Sequence, residues 1–290
     1  WIPWKLAPDG NKPLQGENLS PYGIWIAEVM LQQTQLKVMI PYWRKWMKAF
    51  PTLNDLVEAD VNDVLMIWQG LGYYSRAKRA YASSKLLLSL IGKQRSLDPL
   101  AWPKQLDEWI VLPGIGRTTA ASIISSSFDI PSPILDGNVQ RIISRLIASN
   151  NPPRKNQKQL WEISDLLLSV SCPRDFNQAL MDLGATICTS HNPSCSICPL
   201  NNQCIAYLKY DPIDFPKKDM KRTKSFQEIG IGLVFNKNGE LLIDQRLESS
   251  SMGGMWEFPG GKKNAEESIE KTIERELKEE LGIVVKVGEK

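Results

Sequence analysis

Four of the chain's five cysteines, Cys188, Cys195, Cys198 and Cys204, fall in CTSHNPSCSICPLNNQC with the spacing C-x6-C-x2-C-x5-C. Thiols gathered so closely read as one ligand set. A disulfide pair is disfavoured in a chain with no secretory features. A four-cysteine zinc site usually shows two C-x2-C knuckles where this segment has one, so an iron–sulfur cluster matches better. Two carboxylates add acid–base chemistry. Glu28 lies in WIAEVMLQQT, where Ile, Ala, Val, Met and Leu neighbours would desolvate it, raise its pKa and suit it to general-acid work. Asp136, in PILDGNVQR, reads by itself as a turn residue or helix N-cap. Between them stands LPGIGRTTAA at 112–121, which has neither the spacing nor the Lys of a nucleotide-binding P-loop. What remains is a tight turn at Gly114 and Gly116 between two helices. Its backbone N–H groups can converge on a phosphate, or it is a plain helix connection. Near the end, Glu276, Glu279 and Glu280 share one helix face at i, i+3 and i+4. That geometry is able to hold Mg²⁺ against a pyrophosphate, and is also that of a solvated charged helix.

The elements that must position these groups follow from periodicity and punctuation. From about 22 to 209, apolar residues recur at three- and four-residue spacing, as in DVLMIWQGLG and LWEISDLLLSV, which predicts an all-α region. Residues 210–225, YDPIDFPKKDMKRTKS, carry two prolines and five Lys or Arg without apolar periodicity and read as a basic linker. Beyond it, IGIGLVF and ELLIDQR read as strands around an NKNG turn, followed by a charged helix over 265–281. Residues 1–224 carry 26 Lys and Arg against 19 Asp and Glu, and the remainder 9 against 13, so a polyanion would meet the first part. The apolar runs are all far shorter than the roughly 18 residues of a membrane span, which predicts a soluble protein with no membrane partner.

WIAEVMLQQT, GLGYYSRAKR, LPGIGRTTAA, LDGNVQRIISRL and DFNQALMDLGATICT occur in this order. With them the chain resembles the adenine DNA glycosylases of the MutY type, within the helix-hairpin-helix glycosylase superfamily. The resemblance implies a mostly α, two-domain helix-hairpin-helix DNA glycosylase fold. Its parts are a six-helix barrel at 22–135 containing the hairpin, and an iron–sulfur domain formed by 1–21 with 136–209. The cofactor it implies is a [4Fe–4S] cluster on the four cysteines. The partner is duplex DNA carrying an A:8-oxoguanine or A:G mismatch, met by a monomer in the bacterial cytoplasm at the nucleoid.

Cleaving an adenine N-glycosidic bond makes an oxocarbenium-like sugar and a poor leaving group, so the site needs an acid for the base and an anion beside the sugar. By resemblance, Glu28 protonates adenine N7 and then helps activate water. Asp136 stabilises or transiently captures the sugar cation, and Asn138 positions Asp136 or the water. Thr118 stands where related strand-nicking glycosylases carry a Lys. A hydroxyl cannot form a Schiff base, so a monofunctional enzyme is expected. Arg117 stays protonated and would bind phosphate together with Gly114, Gly116 and Thr118. Base access requires extruding the adenine. The resemblance gives Gln33 and Tyr73 as intercalating residues and places Leu31 against the flipped base.

The segment GKKNAEESIEKTIERELKEELGI satisfies the Nudix box, with Gly261, Glu267, Arg275, Glu276, Glu279, Glu280 and Gly282 in place. Residues 226–290 therefore resemble part of an α+β Nudix domain, the module that in adenine glycosylases recognises 8-oxoguanine, with Mg²⁺ at the box as a second expected cofactor. The chain stops about halfway through a typical Nudix domain. His191, the sole histidine, reads as a surface residue, and Cys172 as a small buried hydrophobe. Two other functions compete. A glycosylase/lyase for oxidised pyrimidines is opposed by the missing Lys. A nucleotide pyrophosphohydrolase or a non-catalytic DNA-binding module would bind without releasing base.

Overall fold

Caps and apolar stripes cut the region from Pro21 to Phe128 into α1 (Pro21–Leu31), α2 (Leu36–Ala49), α3 (Leu53–Glu58), α4 (Val61–Trp68), α5 (Ser75–Ile91), α6 (Leu106–Ile110) and α7 (Arg117–Phe128). These are seven α-helical segments among the described residues where six were expected. The extra break is local: a capping box at Thr52 starts α3, and Asp60, accepting from Asn62 N, starts α4 only eight residues later. The computed structural model describes residues 2–219, 226–247, 250 and 253–288. It divides into two compact units, Trp1–Asp219 and Met220–Lys290.

In the first unit α1 is apolar nearly all round and is buried from Pro21 to Ala27, as befits a central helix. It packs on α7, whose residues Ala120 to Phe128 are also buried. Fully buried Trp25, Trp46, Trp68 and Trp109 fill the core around them, Trp46 meeting Trp68 edge-on at 5.7 Å. A second core joins α8 (Gly137–Leu146), α9 (Gln157–Leu167) and α10 (Pro173–Thr186) through Val139, Ile142, Ile143, Leu160, Leu180 and Leu183. The cysteine loop follows, and then α11 (Ile205–Lys209).

The N-terminal segment does not sort wholly with the second core, as the resemblance implied. Its apolar side chains Trp4, Ala7 and Leu19 enter the first core, with Trp4 lying 5.3 Å from Trp43. Its polar side chains reach α10, Lys5 donating to Gln178 Oε1 at 2.6 Å and Lys12 pairing with Asp175. The segment thus straps the two cores together.

The basic linker expected from 210 also begins later. Residues Pro212–Asp214 form a 3₁₀ turn, Phe215 is buried, and Arg145 Nε donates to Pro212 O and Phe215 O at 2.8 and 3.1 Å. A guanidinium only 2% exposed needs these carbonyls, so the segment docks on α8. The basic residues at 221, 222 and 224 lie outside the described residues.

Cys172 is exposed at the N-terminal boundary of α10, not buried. It belongs to the α9–α10 connection, in which Val170 is exposed as well, and Leu166 in the last turn of α9 faces solvent too. His191 is exposed, in line with its surface reading. Among the described residues no helix is long and apolar enough to cross a membrane.

In the second unit β1 (Ile229–Ile231) pairs antiparallel with β4 (Gly260–Lys262), and β2 (Asp244–Gln245) with β3 (Trp256–Glu257). The NKNG turn is present, Gly239 N donating to Asn236 O, and the flanking residues Phe235 and Leu241 form a single bridge. The charged helix α12 runs Ile269–Leu281, four residues shorter than the periodicity suggested, because Ser268 caps it at Lys271 N. It packs on β1 and β4 so closely that a Cβ on Gly261 would lie 2.2 Å from the Glu276 carboxyl carbon.

Candidate active site

Glu28 is carried near the end of α1, on the side facing α7. Its Oε1 is buried without a hydrogen-bond partner. Burial first, and then the charge of Asp136, push the Glu28 carboxyl above the usual carboxylate range, while Lys5 and the Ser122 hydroxyl act against the rise. Lys5 is itself held below the ordinary lysine value by burial, opposed by Glu28 and Asp182.

Asp136 is the N-cap of α8, its Oδ1 accepting from Val139 N at 2.9 Å. One oxygen is thereby fixed at a helix N-terminus, where a carboxylate is favoured. Asn138, expected to orient Asp136 or a water, has its Oδ1 engaged by Arg141 Nη2 at 2.8 Å. Arg141 also donates to Gly184 O at 2.7 Å and Cys188 O at 2.8 Å, which ties α8 to α10 and to the cysteine loop.

The α6–α7 turn is a helix-hairpin-helix. Gly114 has φ +81°, and a Cβ there would be strained and would press on Arg79 Cδ at 3.0 Å. Gly116 caps α7, and the space where its Cβ would stand is open. Thr118 is the second residue of α7. Arg117, expected on phosphate, stacks its guanidinium on Trp161 of α9 at 3.9 Å. Gln32 Nε2 donates to Gly114 O at 3.1 Å, joining this turn to the loop that follows α1. In that loop Gln33 is exposed with φ +58°, and Leu31 is half-buried against the first core. Tyr73, at φ +48°, is 62% exposed.

Cys188, Cys195, Cys198 and Cys204 line one small cavity of about 20 Å³ together with Arg145. None is in a disulfide. Arg145 Nη1 lies 3.3 Å from Cys188 Sγ and donates to Thr189 O at 2.7 Å. Burial, followed by the neighbouring thiols, pushes the Cys195 thiol up. In the second unit the Mg²⁺ expected at the Nudix helix finds no ready ligand set. Arg275 pairs with Glu267, Glu276 and Glu279 at 2.9, 2.8 and 3.1 Å, so these carboxylates already have a cation. Glu280 is pushed up by burial and by the nearby carboxylates of Glu276, Asp244 and Glu257. Among the described residues no three His, Cys, Asp or Glu side chains are gathered so as to hold a metal ion.

The HhH-GPD superfamily of base excision DNA repair proteins matches residues 26–165, and the NUDIX domain matches 230–290. The adenine DNA glycosylase of Buchnera aphidicola subsp. Acyrthosiphon pisum (strain APS) is 37% identical over 270 residues, covering 92% of this chain and 71% of that protein. This chain belongs to the adenine DNA glycosylases. The Homo sapiens adenine DNA glycosylase is 31% identical over 307 residues, which cover 89% of this chain and 54% of that longer protein. Among solved structures, a thermostable thymine-DNA glycosylase shares the fold with a TM-score of 0.60 at 23% identity, over 72% of this chain and 89% of that one. Endonuclease III in a non-covalent complex with DNA gives 0.54 at 21%, over 68% and 88%. As a member of the family the chain is an adenine-specific DNA N-glycosylase with a helix-hairpin-helix fold.

Several residues that shape this adenine DNA glycosylase's site escaped sequence reasoning. Lys5 and Ser122 flank Glu28, and Arg76, Arg141 and Arg145 cross-link its elements. Only Ser122 left a trace, since it lies one helical turn after Thr118 on the buried side of α7.

Proposed function

We propose that this adenine DNA glycosylase excises adenine paired with 8-oxoguanine or guanine in duplex DNA, by hydrolysis and without cutting the strand. The observation that carries the reading is Glu28. A carboxyl with a buried, unpartnered oxygen and a raised pKa is a proton donor waiting for an acceptor, and Asp136 is near enough to raise it further. Glu28 would donate its proton to adenine N7, converting the leaving group to a neutral base. Asp136, fixed by its cap bond, would face the cation left on the sugar and stabilise or briefly capture it. Glu28, now ionised, would then take a proton from the attacking water. Thr118 offers no amine at the hairpin for a Schiff base, which supports the monofunctional reading. Gly114, Gly116 and the first turn of α7 would cradle a phosphate, and Gln33 and Tyr73 would fill the stack that the adenine vacates. The second unit would read the 8-oxoguanine, with one monomer acting at each lesion.

The test is single-turnover release of adenine from duplexes holding one A:8-oxoguanine, A:G or A:T pair, analysed with and without alkali. Breaks that need alkali and favour the first two duplexes support the proposal. Breaks without alkali would show a lyase, and binding without release a non-catalytic module.

The cysteine loop fits an iron–sulfur cluster. Four unpaired thiols face one cavity and a buried guanidinium donates to one of them, the kind of hydrogen bond that stabilises cluster thiolates. A four-cysteine zinc site usually shows two C-x2-C knuckles, and this loop has one, at Cys195 and Cys198. A [4Fe–4S] cluster on Cys188, Cys195, Cys198 and Cys204 would brace this loop against α8 and α10. Anaerobically purified protein should contain about four irons per chain. Cys198→Ser should lose most of that iron and its visible absorbance. A wild-type preparation with one tightly held zinc and no iron would refute the assignment.

A further inference from the structure

Gln33 and Tyr73 are exposed residues in the left-handed backbone region, where a side chain other than glycine is strained. They lie in different loops, one after α1 and the other before α5. Both loops close on a single group, the guanidinium of Arg76, which is 5% exposed. Its Nη1 donates to Met30 O at 2.8 Å and to Gln32 O, and Thr34 Oγ1 lies within 3.1 Å. Its Nη2 reaches Leu71 O at 3.3 Å and Gly72 O at 3.2 Å. The guanidinium carbon lies 5.3 Å from the Trp68 ring and 5.4 Å from the Tyr73 ring. Carbonyls at the end of α1 lack intrahelical partners, and a planar fork with donors on two nitrogens can satisfy them and the second loop together. A lysine has one nitrogen and cannot span both sets.

Strain of this kind persists only where surrounding bonds over-determine it. Here the bonds on the two strained loops converge on one buried side chain. We propose that Arg76 is a positioning residue that holds Gln33 and Tyr73 together in the backbone arrangement that enters the DNA stack, so that base extrusion, and not bond cleavage, depends on it. This rests on the reading of Gln33 and Tyr73 as intercalating residues.

Extrusion costs least when the base is already unpaired, and that separates the two steps. Adenine release by Arg76→Lys would be measured under single-turnover conditions on two duplexes, one with A:8-oxoguanine and one with adenine opposite a stable abasic analogue. The fluorescence of 2-aminopurine beside the target adenine would report unstacking. The expected result is a loss on the paired duplex about tenfold or more greater than on the unpaired one, with slower unstacking. Equal losses on both duplexes would overturn the proposal, since a general structural defect does not distinguish them. Gln33→Ala with Tyr73→Ala tests the underlying reading. If that double variant shows no difference between duplexes, the intercalation reading fails; if it does and Arg76→Lys does not, only the Arg76 proposal fails. Should Arg76→Lys not fold, Thr34→Val, which removes one acceptor of Nη1, decides. A selective several-fold loss on the paired duplex supports the clamp, and no loss or an unselective one overturns it.

Discussion

Glu28→Gln is expected to slow single-turnover release of adenine from an A:8-oxoguanine duplex by about 10²–10⁴-fold, the usual contribution of a positioned general acid. Gln keeps the shape of the side chain and is neutral, so binding to the duplex should be nearly unchanged. The loss would then appear in the chemical step. In the wild type, the rate should fall as pH rises through the raised pKa of Glu28, because only the protonated carboxyl donates. A variant that released adenine at a near wild-type rate would remove Glu28 from the mechanism. The same pKa shift has a stability consequence. The native state binds this proton more tightly than the unfolded chain, whose carboxyl titrates near 4.5. From about that pH up to the raised value, unfolding releases a proton, so stability falls with rising pH by at most about 1.4 kcal/mol per unit. Glu28→Gln should therefore melt with the wild type at low pH and above it at neutral pH. If the wild type is the more stable at neutral pH, Glu28 is an ion-paired partner of Lys5 and not a stored acid.

Gly184→Val should destabilise the first unit by about 3 kcal/mol or more, read as a lowered urea midpoint. A Cβ at Gly184 would lie 2.5 Å from Asn138 Cβ, 3.1 Å from its Cγ and 3.4 Å from Arg141 Nη2. The nearest of these atoms is bonded to the α8 backbone and cannot swing aside, so α8 and α10 must separate. Gly184→Ala gains up to about 1 kcal/mol of helix propensity, yet overpacking typically costs about 1–3 kcal/mol; it too should lose stability, though less. Separation would also pull Arg141 from Gly184 O and Cys188 O and tilt the end of α8 that Asp136 caps. Adenine release should fall along with stability. An unchanged midpoint in the valine variant would show that the helices have room to part.

The features legible in the sequence are those whose causes are local. Glu28 stood out because its neighbours along the chain are apolar, and the four cysteines because they are close in sequence. The hairpin glycines were legible too, because a tight turn needs φ > 0 at Gly114. What stayed hidden is long-range. Arg76 in SRAKR, Arg141 and Arg145 in QRIISRL, and Lys5 in PWKL all read as ordinary surface cations. Their partners lie far along the chain, as in the Arg76–Gln32, Arg145–Phe215 and Lys5–Gln178 contacts, which span 44, 70 and 173 residues. Cys172 was misjudged for the complementary reason. A small apolar side chain reads as core, but its burial is set by the fold, which leaves Cys172 exposed. The docking of Pro212–Phe215 was equally invisible, since prolines and nearby lysines suggest a free linker until a buried guanidinium asks for acceptors.

The left-handed backbones at Gln33 and Tyr73 set two kinds of selection against each other. Each strained residue costs on the order of 1–3 kcal/mol of fold stability. A laboratory selection for heat resistance acting on the protein without DNA should therefore favour glycine at both positions, because glycine relieves the strain at a smaller entropic cost. Under the proposed intercalating role of Gln33 and Tyr73, lineages evolved that way would survive hotter conditions while losing adenine excision. On that proposal, stability-guided redesign of this chain should leave residues 33 and 73 fixed.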